Sequence, residues 1–161
     1  MRALLIALLT VLSLGSSVAQ ATTYKKALNI EEMSQRSEQI LMGSVANMWT
    51  EEGEGDIWTV ASVMVESNVR GAKGSFVEIR WMGGVGESGI QQVVSGAPNA
   101  AIGDRVMVFV RPNGNVVGMA QGLFQVDEQG NATRDLHELD FMQEGELRSH
   151  YSVNELMSRA R

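Results

Sequence analysis

The sequence predicts one mostly β domain, an antiparallel OB-like barrel of about six strands flanked by short N- and C-terminal helices, with a β-sandwich as the alternative. Three observations predict it. Apolar residues recur with period two in several short runs. Each run is bounded by clusters of Gly, Asn, Asp or Pro. No helix-sized segment separates one run from the next, which argues against parallel βαβ units.

Asn29-Ile30-Glu31-Glu32 has the form of a helix start, with a capping side chain at Asn29 and a carboxylate three residues on. Ile30 and Met33 support one or two turns that end before Gln39. Six strands are then predicted over Gln39–Thr50, Ile57–Val69, Ser75–Met82, Ile90–Val94, Arg105–Arg111 and Val116–Val126. In Phe76–Trp81, Val77, Ile79 and Trp81 share a face opposite Glu78 and Arg80, the pattern of a sheet wet on one side. Val106–Val110 is apolar on both faces and belongs at the centre. Ser152-Val153-Asn154-Glu155 reads as a capping box. It opens an amphipathic helix with Val153, Leu156, Met157 and Ala160 on one stripe, expected to dock on the barrel.

The first residues read as a secretory signal peptide: Met1-Arg2, the apolar Ala3–Leu14, then small residues ending in Ala19-Gln20-Ala21. The apolar run falls short of the ~20 residues needed to span a bilayer, so cleavage after Ala21 and a mature domain over 22–161 are expected. That product, with no later spanning segment, is not an integral membrane protein. Its compartment is the periplasm or the exterior.

The chain carries 13 basic and 19 acidic residues, a formal charge of −6. Loss of Arg2 makes the balance more negative. Nucleic-acid binding draws its affinity from Lys and Arg that displace counterions, so this composition argues against it. There is no Cys, which excludes structural disulfides, thiolate metal sites, thiol catalysis and a lipid-anchored cysteine.

Gly84-Val85-Gly86-Glu87-Ser88-Gly89 matches the glycine spacing of a dinucleotide loop, but that motif needs a helix N-terminus next. Ile90–Val94 reads as strand instead, making the segment an inter-strand loop. Glu51, Glu52, Glu54 and Asp56 crowd one hairpin and read as a solvated charged turn rather than a calcium loop. His137 and His150, near Glu138, Asp140, Glu144 and Glu146, could bind zinc or act as acid and base, yet their spacing is generic. No Gly-x-Ser-x-Gly elbow or Ser-x-x-Lys is present. Asn131-Ala132-Thr133 is a formal glycosylation acceptor. Trp49, Trp58 and Trp81 would stack on a partner if exposed together; core packing is their commoner use. No catalytic, cofactor-binding or metal-binding residue is assigned, and no cofactor is expected.

The run from Ser37 onward resembles a family of uncharacterised bacterial exported β-barrel proteins. The similar residues include Gly43-Ser44-Val45, Ile57-Trp58-Thr59-Val60, Gly71, Gly83-Gly84, Ser95-Gly96-Ala97-Pro98, Gly103–Phe109 and Gln121–Val126. More distantly, the arrangement is similar to netrin-like and metalloproteinase-inhibitor (TIMP-like) domains of OB type. Those inhibitors present an N-terminal Cys to the protease zinc, whereas the expected mature chain starts Thr22-Thr23. The resemblance implies a fold and no reaction. The expected function is that of an exported, non-catalytic binding module whose partner is a protein or envelope component. Thr22, Thr23, Trp49 and Trp58 are its candidate contacts. A secreted protease inhibitor and a hydrolase using the His137 and His150 region remain the alternatives.

Overall fold

The computed structural model describes residues 23–143 and 145–161. The predicted signal segment, Thr22 and Glu144 lie outside the described residues. The chain opens with β1 (Thr23–Lys26), which pairs in parallel with β10 (Asp140–Gln143), Thr23 opposite Asp140. Helix α1 (Ile30–Gln35) starts where its sequence signature puts it. The Asn29 side chain accepts from the Glu32 amide at 2.8 Å, and the Glu32 carboxylate accepts from the Asn29 amide at 3.1 Å.

β2 (Gln39–Gly53) and β3 (Asp56–Arg70) form one long antiparallel hairpin, and β4 (Phe76–Met82) pairs on the far side of β3. Three register shifts interrupt the β2–β3 ladder, and such bulges bend the bulged strand and increase its local twist. Gly43 lies beside one of them, and a Cβ there would overlap the Met64 carbonyl. A two-residue ladder, β5 (Gly84–Val85) with β6 (Gln91–Gln92), follows. Then come β7 (Arg105–Val110), β8 (Leu123–Val126), β9 (Asn131–Thr133), β11 (His150–Ser152) and helix α2 (Val153–Ala160).

Seven strands in the order β11-β9-β8-β7-β2-β3-β4 make a curled antiparallel half-barrel. β7 is its middle strand and is buried on both faces, as its unbroken apolar run requires. Alternate residues therefore feed two cores. Leu41, Ala61, Val63, Ile79, Trp81 and Val108 point to one side of the sheet. Ile40, Met107, Phe109 and Phe124 point to the other, where Ile30 and Met33 of α1 and Leu156 and Ala160 of α2 cover them. The two helices also meet directly: the Ser34 hydroxyl donates to the Ala160 carbonyl at 2.7 Å.

The edge strand β4 is tied back to β7 by the turn after β7. Arg80 N–H donates to the Gly114 carbonyl at 3.0 Å, and Val116 N–H donates to the Arg80 carbonyl at 3.1 Å. Val117 N–H then donates to the Phe109 carbonyl at 2.9 Å, next to the Val110–Val116 bridge.

Three predicted elements change. Ile90–Val94 shrinks to β6, because Ile90 and Val93 are 65% and 70% exposed and have no core to enter. Val116–Val126 is broken by a 3₁₀ turn over Met119–Gly122, entered through Gly118 and Met119 at positive φ. The six expected strands become seven in the main sheet, because Ile90–Val94 drops out of it while β9 and β11 join it, and two small ladders lie outside it. At Ser152 half of the expected capping box forms. The hydroxyl accepts from the Glu155 amide at 3.2 Å, while the Glu155 carboxylate is held by Arg148 at 2.5 and 2.7 Å.

Candidate functional site

The strongest candidate lies at the seam between β4 and the turn after β7. On the β2–β3 hairpin, Trp49 pairs with Val60 and Trp58 with Glu51, so register places both tryptophans on one face. They are linked through two charged residues. Glu51 accepts from the Trp49 indole N–H at 3.2 Å and lies 3.8 Å from the Arg80 guanidinium, which in turn sits 4.6 Å from the centroid of the Trp58 ring. A cation over an indole face is attracted by the ring quadrupole.

Beside this stack opens a cleft of about 320 Å³. Trp58, Trp81, Met82, Val94 and Met119 give it an apolar wall, and Arg80 and Arg111 both line it. Its size is at the lower end of small-ligand sites, roughly 300–1,000 Å³. Trp58 is half-buried, and Trp81 is 4% exposed, so Trp81 serves mainly the core. Arg80 Nε is buried and has no hydrogen-bond partner. The Arg111 side chain is exposed and makes no hydrogen bond or ion pair with the described residues. Arg80 and Arg111 thus bring donors that no described side chain takes up to an apolar opening.

A second, larger cavity of about 570 Å³ brings His137 and His150 to one place, together with Asp135, Ser149 and Thr133. His150 pairs with Thr133, and Thr133 with Gln125, so three polar side chains form a row across β11, β9 and β8. The Ser149 hydroxyl lies 3.0 Å from His150 Nδ1. Among the described residues no carboxylate hydrogen-bonds either imidazole: Asp135 accepts from the His137 backbone N–H instead. Glu146, expected near the histidines, is drawn to α2. It accepts from the Tyr151 hydroxyl at 2.9 Å and from Arg159 at 3.1 and 3.2 Å. Burial raises the Glu146 carboxyl, but those hydrogen bonds and nearby cations bring it below its usual value.

The remaining sequence candidates are used within the fold. Gly84–Gly89 forms β5 and most of the turn that joins it to β6, packed against Glu52, which accepts from Ser88 N–H and Oγ at 3.1 and 2.9 Å. Asp56 accepts from Gln92 at 3.4 Å. Among the described residues no three His, Asp or Glu converge as metal ligands, and no helix is long and apolar enough to cross a membrane. Of the four predicted contacts, Thr23 pairs along β1, Trp49 and Trp58 lie on the β2–β3 hairpin, and Thr22 lies outside the described residues.

Sequence reasoning missed Arg80, Arg111, Met82 and Met119. Arg80 reads as the wet side of a strand and Arg111 as the flank of a turn. Only the Arg80–Asn115 bridge puts them on one opening, and nothing in their spacing announces it. No family model, curated protein or solved structure matches the chain.

Proposed function

We propose that the chain is an exported, non-catalytic binding module on an OB-like barrel, and that it engages its partner, a protein or other envelope component, at the Trp58 cleft. One observation carries this reading: a half-buried indole, stacked by Arg80, forms the wall of an apolar opening next to Arg111, whose side chain has no partner among the described residues. Aromatic and arginine side chains dominate binding hot spots because they combine apolar area with directed donors. The bridges from Arg80 to the turn after β7 support a barrel that closes at this seam. The pairing of Thr23 along β1 favours binding at the cleft over inhibition by the chain start.

The test is capture from the native envelope or culture fluid with the mature domain as bait. Wild type should retain a partner that Trp58→Ala loses while its melting temperature stays within a few degrees. Equal capture by both would remove the cleft from the function. Intact mass of the exported protein should give a chain starting at Thr22; full-length chain in the membrane fraction would refute export.

A further inference from the structure

We infer that the Trp58 cleft takes an amphiphilic anion: a flexible aliphatic chain lying along its apolar wall, with a carboxylate or phosphate head at Arg80 and Arg111. This deepens the binding reading above and rests on it.

The head is argued from charge. A guanidinium presents up to five N–H donors in a planar fork that matches carboxylate and phosphate oxygens. Arg80 spends its ring-facing side on Trp58. Its one carboxylate neighbour, Glu51, stands 3.8 Å away and is shared with the Trp49 indole. Arg111 has no side-chain partner among the described residues. The chain as a whole is acidic, with 19 acidic against 13 basic residues, yet no Asp or Glu lines this opening beside the two arginines. The overall negative field slows an anion's approach, but beyond about 8 Å it is largely screened at physiological salt, leaving the contact to the local guanidinium groups.

The tail is argued from shape. An aromatic ligand would need a free ring face to stack on. Arg80 already occupies one face of Trp58, and Trp81 is 4% exposed. The rest of the apolar wall is aliphatic, with Met82, Val94 and Met119, and the unbranched thioethers of the two methionines adapt to an irregular aliphatic chain. The cleft opens to solvent beside the seam, so a chain longer than its volume can extend into solvent or a lipid layer.

The experiment is titration of the mature domain followed by tryptophan fluorescence and calorimetry. The probes are laurate, dodecyl phosphate, the uncharged monolaurin, and vesicles of phosphatidylglycerol or phosphatidylcholine. Laurate and dodecyl phosphate should bind at least roughly tenfold more tightly than monolaurin. Arg111→Gln should remove most of that preference, since a charge-assisted hydrogen bond is commonly worth a factor of ten or more. Arg80→Gln should do the same, and the melting temperature of each variant checks its folding. Binding to phosphatidylglycerol vesicles without binding to free laurate would place the anion in a membrane; the reverse would make it a free amphiphile. Equal affinity for monolaurin and laurate, or an unchanged preference in folded Arg111→Gln, overturns the inference. Loss of monolaurin binding in Trp58→Ala would then leave the cleft standing as a binding site for a neutral ligand. If no probe binds, the ligand class is refuted, and envelope capture by wild type against Trp58→Ala still decides the cleft.

Discussion

Arg134 Nη1 donates a 2.9 Å hydrogen bond to the carbonyl of Leu28, joining the loop after β9 to the segment that leads into α1. Arg134 is 1% exposed, and three backbone oxygens accept from it, Nε donating to the Arg148 carbonyl at 3.0 Å and Nη2 to that of Glu146 at 2.8 Å, while Nη1 also reaches the Met33 sulfur at 3.8 Å. Phe124 and Tyr151 lie under the guanidinium at 5.6 and 6.0 Å. One side chain thus ties the start of the described chain, the β8–β9 sheet and the β11 approach together.

Arg134→Ala should therefore unfold the chain at markedly lower temperature. It strands the buried Leu28 carbonyl and two part-buried ones and opens a cavity, a combined cost of about 3 kcal/mol. Arg134→Lys keeps the charge but cannot span three divergent acceptors, so it should fall between wild type and Ala. Thermal unfolding followed by circular dichroism orders the three; a Lys variant as stable as wild type would mean the fork geometry is irrelevant.

Docking of α2 is the second structural commitment. Leu156 is fully buried against α1 and the sheet, and an eight-residue helix does not hold itself together in water. Leu156→Ala should cost about 2–5 kcal/mol, whereas Arg161→Ala at the exposed end should be silent. Denaturant midpoints of the two variants make the comparison, and equal midpoints would mean that α2 is not part of the cooperative unit.

Stability should fall at both extremes of pH. The hydrogen bond from Arg159 to Glu31 holds that carboxyl down at about 2. A lowered carboxyl stabilises the fold above its ordinary value of 4.5 and stops doing so as pH falls toward 2. Glu31 is half-exposed, so solvent screening keeps the effect modest. Tyr151 goes the other way. Burial, then its hydrogen bond to Glu146, pushes it up to about 12. Its contribution is complete below pH 10 and is lost between 10 and 12. Melting temperature against pH should show both limbs, the acid one flattened in Glu31→Gln and the alkaline one in Tyr151→Phe.

Among the described residues neither imidazole has an orienting carboxylate, so replacing His137 and His150 together with Ala should change neither the melting temperature nor partner capture. Both side chains are exposed, so their loss opens no buried cavity. Loss of a measured hydrolysis in a variant that still melts like wild type would assign the larger cavity a reaction.

Much of the fold was legible because local chemistry and tertiary demand agree. The Asn29–Glu32 box, the long hairpin, the one-sided Val77–Ile79–Trp81 strand and the two-sided β7 all appear where period and turn residues put them. What was not legible depends on partners distant in sequence. β1 and β10 are four residues each and pair across most of the chain, and β9 and β11 are three residues each. Conversely, Ile90 and Val93 look like strand to a pattern yet find no neighbour to bury them. Of the site, Trp49 and Trp58 were visible as exposed-aromatic candidates, and the hairpin register does put them on one face. Arg80 and Arg111 were not, because a fold has to bring them together first.

The turn that carries Gly114 and Val116 has a consequence for how copies of this molecule meet. An unpaired sheet edge invites another chain to add a strand, and β4 ends the main sheet with Phe76 at its start 56% exposed. Arg80, at the middle of that edge, already spends its N–H and carbonyl on the turn. The cleft and the guard against aggregation are therefore the same piece of backbone: whatever pries the seam open to enlarge the cleft also uncovers a sticky strand, so this surface has a built-in reason to stay narrow.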